Sequence, residues 1–255
     1  MHHFFVDRLE KSAKFPDAFM TTIVEKQAHH LINVLRAEIG EEISVACLGH
    51  NYQGFISEIR PTHVVVEQLT LQEQKAELPF ELILVQGLPK SDKLEFIITK
   101  ACELGVSKIL PLQCERSITR DKAEKAEKIT IRRNEIALAA CKQAHRSQLV
   151  KVEKSIAGRE LFQKYQFDYC LIAYEKSDLT QSLAKYWQTV KKSILTAPKR
   201  KQIAVVVGPE GGFTPAEIAY FTANNADIVN LGARILRTET AGLALLSYIM
   251  LDSEQ

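Results

Sequence analysis

No apolar stretch in the chain approaches the roughly 18 uninterrupted residues that cross a bilayer as a helix, and its N-terminus lacks the run of a signal peptide. Neither a membrane protein nor a secreted one is expected, and the chain reads as cytoplasmic. Cysteine is sparse and scattered. Cys47, Cys102, Cys114, Cys141 and Cys170 are odd in number, far apart and free of any CxxC pair. That excludes a disulfide framework and the usual zinc spacings, and favours small buried thiols. HExxH and EF-hand patterns are missing, so no metal is expected. Two nucleotide loops are missing too. No G-x-G-x-x-G follows the first strand of the second half, and no G-x-x-x-x-G-K-[ST] occurs anywhere, which removes a Rossmann site and a P-loop. Excess charge is also lacking: a net +2 excludes an evenly basic surface.

The 255 residues, 46% of them hydrophobic, suffice for one large domain or two moderate ones. Basic residues cluster. Seven Lys/Arg stand against three acids in 116–133, and residues 191–201 hold five with no acid. Such clusters are either solvated faces or phosphate contacts made favourable by counterion release. Two halves differ in texture. Residues 1–70 read as short strands at 4–6, 20–24, 43–48, 55–59 and 64–69, with turns at Gly49-His50-Asn51 and Arg60-Pro61. One helix is expected at 25–36, with Ala28, Leu31, Ile32 and Leu35 on a common face. Short strands around one helix suggest a small β-barrel. The polar stretch 72–79 reads as a linker. Beyond it strands (82–85, 108–111, 169–173, 203–207, 227–229) alternate with helices (92–104, 121–144, 179–190, 215–224, 239–251). That order predicts a parallel sheet covered by helices, with ligands outside the carboxyl ends of its strands.

Two stretches carry chemistry. In Val205-Val-Val-Gly-Pro-Glu-Gly-Gly-Phe-Thr-Pro-Ala-Glu217 a buried strand runs into glycines, and a helix follows at once. Thr214 at N-cap, Pro215 at N1 and Glu217 at N3 form a capping box. Gly208, Gly211 and Gly212 allow unusual backbone angles and the approach of a ligand to bare chain. A tight turn with nothing bound is the plain alternative. One βα unit later comes Leu231-Gly-Ala-Arg-Ile-Leu-Arg-Thr-Glu-Thr-Ala-Gly242. Leu231, Ile235 and Leu236 are too apolar for a free surface loop, Arg234 and Arg237 flank them, and Thr238 and Thr240 can cap the next helix. An apolar loop with a few polar groups suits a ligand with a flat ring and a polar tail. The alternative is a loop folded on its own core.

These two stretches closely resemble the RsmE family of SPOUT-superfamily RNA methyltransferases. Residues 82–117 (LILVQGLPKSDKLEFIITKACELGVSKILPLQCERS), 135–147 (EIALAACKQAHRS) and 29–43 (HHLINVLRAEIGEEI) extend the resemblance over nearly the whole chain. The chain departs from the family at Gly49-His50 and at Val150, outside both loops. The resemblance implies a PUA-like β-barrel that binds RNA, over 1–72, and an α/β methyltransferase domain tied in a trefoil knot, over 73–255. It implies S-adenosylmethionine as cofactor, a homodimer, and methylation of uridine N3 in 16S ribosomal RNA on the 30S subunit. The cofactor contacts it implies are Tyr174, Val207, Gly208, Pro209, Gly211, Gly212, Leu231, Gly232, Ile235, Leu236, Thr238 and Ala241. Arg237 is the candidate cation that stabilises the uracil anion. Glu210 is the candidate base, with a structural carboxylate as its alternative role. Arg8, Arg36, Lys90, Lys93, Arg116 and Arg146 are candidate phosphate contacts. Competing readings are a catalytically inactive ribosome-assembly factor, which degenerate glycines would favour, and an enzyme of small nucleotides, which leaves the barrel unexplained.

Overall fold

The computed structural model describes residues 1–12, 14–73, 77–90, 92–174 and 181–254. It divides into two compact units, Met1–Glu77 with Cys141–Leu149, and Leu78–Ala140 with Val150–Gln255. The first unit thus runs past the boundary expected after residue 72 and reclaims 141–149 from the expected second domain. Residues 74–76 of the expected linker lie outside the described residues.

In the first unit, β1 (His2–Phe5), β2 (Glu10–Lys11), β3 (Phe19–Val24), β4 (Glu42–Cys47), β5 (His50–Arg60) and β6 (His63–Leu71) form one sheet in the order β1-β4-β5-β6-β3-β2. Only the β1–β4 pair is parallel. Alternate residues such as Val64 and Val66 turn inward, as a sheet with one wet face requires, and join Phe4, Ile23, Leu31, Ile43 and Val45 in the core. The turn between β4 and β5 is Leu48-Gly49, with φ of 48° and 82°. Two left-handed residues make the tight hairpin turn that matches strand twist, so His50 and Asn51 belong to β5 and not to the turn. The expected helix is α1 (Glu25–His29), continued as a π-helical turn at His30–Val34.

Segment 141–149 is held in this unit by buried polar contacts. The His3 ring bonds Ser44 Oγ at 2.8 Å through Nδ1 and Arg146 O at 2.9 Å through Nε2. Arg146 donates to Glu77 from Nε (2.9 Å) and Nη2 (2.7 Å), a planar fork on a carboxylate. Glu77 also accepts the backbone N–H groups of Ser147 and Gln148. Burial is the main force on His3, and it holds the ring's pKa down at about 4.

The second unit begins with β7 (Glu81–Gly87), α2 (Lys93–Glu103), β8 (Lys108–Gln113), α3 (Ala126–Gln143), β9 (Lys151–Val152) and β10 (Ile156–Ala157). It continues with α4 (Leu161–Lys164), β11 (Tyr169–Ala173), β12 (Gln181–Ser182), α5 (Leu183–Leu195), β13 (Gln202–Val207), α6 (Pro215–Ala223), β14 (Asp227–Asn230) and α7 (Thr238–Ser253). The sheet is parallel, ordered β10-β8-β7-β13-β11-β14-β12, with β9 beside β8. Its central strands are buried on both faces, which explains their unbroken apolar runs. α5 starts later than expected because Ser182 caps it, accepting Lys185 N–H. Residues 179 and 180 lie outside the described residues. α7 packs on α2 and β13. The carboxyl ends of β13, β11 and β14 lie side by side, and the two unusual loops leave from the first and the last of them.

Candidate active site

The loop after β13 is stitched down at every turn. Gly212, at φ 63°, closes a turn by donating its N–H to Pro209 O at 2.8 Å. The capping box forms: Glu217 N–H donates to Thr214 Oγ1 at 3.2 Å, and Thr214 N–H donates to Glu217 Oε2 at 2.8 Å. Arg116 Nη1 donates to Gly211 O and Phe213 O, both at 3.2 Å. A Cβ on Gly211 would fall 2.9 Å from Arg116 Cβ, and one on Gly208 would fall 3.3 Å from Gly212 Cα. These two glycines therefore also let the loop pack on itself and on residue 116.

Glu210 is part of the same stitching. Its carboxylate accepts Lys90 N–H at 3.1 and 3.2 Å and pairs with Lys93 Nζ at 3.1 Å. Partial burial opposes its ionisation, but the Lys90 N–H, the backbone N–H of Glu210 itself and the Lys93 ammonium outweigh that and hold its pKa below the usual carboxylate range. A carboxylate so stabilised is a weak proton acceptor, so the geometry favours its structural role over that of a base. Lys93 reaches Glu239 as well, at 3.3 Å, and the two carboxylates raise its own pKa.

The loop after β14 is built differently. Gly232 (φ 102°) turns the chain, helped by its N–H on Asn230 Oδ1 at 3.3 Å. Arg234 and Arg237 are exposed, and neither guanidinium has an ion pair or hydrogen bond among the described residues. Ile235, between them, is 85% exposed. Arg237, not Thr238, is the N-cap residue of α7, and no side chain caps that helix. Thr238 is buried instead, because its hydroxyl donates to Gly208 O at 2.6 Å.

The two loops face each other across a cavity of about 500 Å³. Each residue that the resemblance assigned to the cofactor lines it, as do Glu210 and Arg237, with Tyr174 and Ala173 from the end of β11. The sequence reading missed Ala173, Phe213 and Asn230 and gave Arg234 no role. Asn230 alone had a usable signal, an amide placed just before a glycine turn. The volume lies within the range of small-molecule sites, about 300–1,000 Å³, and the wall combines apolar side chains with bare backbone.

Comparison with known proteins agrees with this geometry. A family model described as an RNA methyltransferase domain matches residues 76–250, and one described as an RNA methyltransferase PUA domain matches residues 25–69. The chain belongs to the RNA methyltransferase family. It is 32% identical to ribosomal RNA small subunit methyltransferase E of Bacillus subtilis over 100% of this chain and 98% of that protein. It is 29% identical to the protein of the same name from Synechocystis, over 89% of this chain and 72% of that one. The crystal structure of the Neisseria gonorrhoeae ribosomal RNA small subunit methyltransferase E bound to S-adenosyl methionine superimposes with a TM-score of 0.80. That pair is 26% identical, with 98% and 97% of the two chains covered.

For a methyltransferase of RNA, the fate of the expected phosphate contacts matters. Arg8 is exposed, 3.5 Å from Glu10, and Arg36 is exposed at φ 54°, where it ends the first helix. The Lys90 side chain is exposed as well. The other three are committed elsewhere. Arg146 is 2% exposed and locked on Glu77, so it is not available to a phosphate, because removing it from that carboxylate would leave a buried charge alone. Lys93 braces Glu210 and Glu239, and Arg116 holds the glycine loop.

Proposed function

We propose that the protein uses S-adenosylmethionine to methylate N3 of a uridine in 16S ribosomal RNA, on the 30S subunit. The observation that carries this reading is the cavity between the two loops, with one wall braced and the other ending in a cation that has no partner among the described residues. Leu231 and Leu236 suit the adenine, and the backbone of 208–212 and 231–232 suits the polar groups of the molecule. When bound, S-adenosylmethionine supplies an electrophilic methyl group on a sulfonium.

The residues of the chain have to deal with the acceptor. Uracil N3 is a protonated imide nitrogen at neutral pH and a poor nucleophile in that form. Arg237 would set two parallel N–H donors against oxygen atoms of the base and favour its anion, with the N3 proton passing to solvent water. Holding N3 in line with the methyl group is an orientation effect of the two walls. Glu210 serves as a brace in this scheme.

The finer architecture belongs to the same proposal. Thr238 bonds the Gly208 carbonyl just past β13, and α7 packs back on α2, which suits a final segment threaded through a trefoil knot. Phe96 on α2 and Leu251 on α7, 48% and 55% exposed, suit a homodimer interface. Arg8 and Arg36 give the first unit exposed cations for RNA, in a cytoplasmic protein that works on ribosomal subunits. The test is to incubate purified protein and S-adenosylmethionine with 30S subunits from cells lacking the enzyme, then digest the RNA and analyse its nucleosides by mass spectrometry. The proposal requires N3-methyluridine; any other methylated nucleoside, or none, contradicts it.

A further inference from the structure

The side chain that ties the two loops together does not touch the cavity. Gln86, near the end of β7, is fully buried. Its Nε2 donates to Thr238 Oγ1 at 2.8 Å and to Gly87 O at 3.0 Å. The Thr238 hydroxyl has one proton and gives it to Gly208 O, so toward Gln86 it can only accept. The orientation of the amide follows: nitrogen toward two acceptors, and Oε1 left buried with no hydrogen-bond partner among the described residues. Oε1 lies against α7, where a Cβ on Gly242 would meet it at 3.4 Å. Close by, a Cβ on Gly87 would fall 2.5 Å from Pro209 N, so the end of β7 abuts the glycine loop directly.

A buried acceptor without a partner is destabilising and uncommon. Leucine or methionine would fill similar space and leave no polar atom unmet. What this position gains from glutamine is therefore its donor, and that donor is used on the one hydroxyl that joins α7 to Gly208.

We propose that Gln86 is a positioning residue for methyl transfer. Through Thr238 it fixes the Gly208 carbonyl and the first turn of α7, and so sets the separation of the walls that receive S-adenosylmethionine. The inference rests on the function proposed above.

The test uses the full chain carrying Gln86→Leu, Thr238→Val, both together, or Thr238→Ser. S-adenosylmethionine affinity is measured by calorimetry and unfolding temperature on the same samples. Gln86→Leu should weaken binding about tenfold with an unfolding temperature equal to or above wild type, because the unmet acceptor is gone. Thr238→Val should weaken binding similarly, the double variant should be no worse than the weaker single one, and Thr238→Ser should bind nearly as wild type does. Wild-type affinity in Gln86→Leu, or losses that multiply in the double variant, would overturn the proposal. If Gln86→Leu does not fold, equal affinity of Thr238→Val and wild type overturns it. Wild-type protein that binds no S-adenosylmethionine counts against the proposed function instead. The link is then judged on ligand-free amide exchange at 208–212 and 238–241, which Gln86→Leu should accelerate about tenfold. Unchanged exchange would overturn the link itself.

Discussion

The two loops that enclose the cavity follow buried strands of the same sheet, yet they are finished in opposite ways. The loop at 208–213 is braced from within the protein: Gly212 by Pro209, Glu210 by Lys90 and Lys93, Gly211 and Phe213 by Arg116. The loop at 231–237 leaves Arg234 and Arg237 without partners among the described residues and Ile235 85% exposed. An apolar residue between two free cations gains nothing from water. The contrast teaches that the first loop is a wall built in advance, while the second is completed by what binds. Preorganisation on one side limits the reorganisation needed at reaction, and the other side keeps Ile235 exposed for the cofactor and Arg237 for the acceptor base.

The comparison breaks most visibly at Arg237. Arg237→Ala should leave S-adenosylmethionine affinity within a few-fold and cut the single-turnover methylation rate by roughly 100- to 1000-fold, the usual effect of removing one donor to a developing anion. Arg237→Lys should recover only part, since an ammonium lacks the planar fork. Loss of affinity and rate together would make Arg237 part of the wall.

Next in size is Gly211→Val, which tests the prebuilt side. Its Cβ would displace Arg116 and with it two hydrogen bonds of the loop. Affinity for S-adenosylmethionine should fall by roughly tenfold or more, as expected for the loss of two charge-assisted hydrogen bonds. Arg116→Ala, measured by the same calorimetry, should reproduce part of that loss. An unaffected Arg116→Ala would return the glycine to direct ligand contact.

Lys93→Ala should have a smaller effect, a few-fold in affinity, because its two ion pairs are about one-third exposed and screened by water and salt. Raising ionic strength should narrow the gap between this variant and wild type. A gap that does not change with salt would mean that Lys93 acts by packing alone.

The smallest effect on the loops is expected from pH, which acts on the first unit through His3. Its folded pKa, about 4, lies below the unfolded value of 6.5, so the unfolded chain takes up the proton first. Stability is therefore complete above about pH 6.5 and is lost as pH falls toward 4, on the order of 2–3 kcal/mol by pH 4.5. His3→Gln should remove most of that pH dependence in thermal unfolding without changing S-adenosylmethionine affinity at neutral pH. An equal slope in both proteins would assign the pH dependence to other groups.

What could be read in the sequence follows from the range of the forces involved. The buried strands, the capping box at Thr214 and Glu217, and the gathering of both loops depend on local pattern and on one rule for parallel sheets, and the structure has all of them. Long-range pairing could not be read. Arg146 looked like a surface cation because nothing in its neighbourhood announces Glu77, and the partners that fix Glu210 in its structural role could not be named because Lys90 and Lys93 lie far away in the chain. Thr238 sits where a cap should sit, but burial gave its hydroxyl a better acceptor in Gly208. Gln86 lies just past the apolar run 82–85, where a single polar residue carries no signal of its own. The return of 141–149 to the first unit was hidden for the same reason, since His3 and Arg146 meet only in three dimensions.

The contrast between a wall built in advance and a wall completed by ligand is tested most directly by amide hydrogen exchange, with and without saturating S-adenosylmethionine. Slow exchange needs bonded amides, so the account predicts that the Gly212 amide, held on Pro209 O, is already protected in the free protein and changes little on binding. It predicts that 231–237 exchanges fast in the free protein and slows at least tenfold when the molecule binds. Equal protection of Gly212 and of 231–237 before binding, or an equal gain in both after it, would contradict the account.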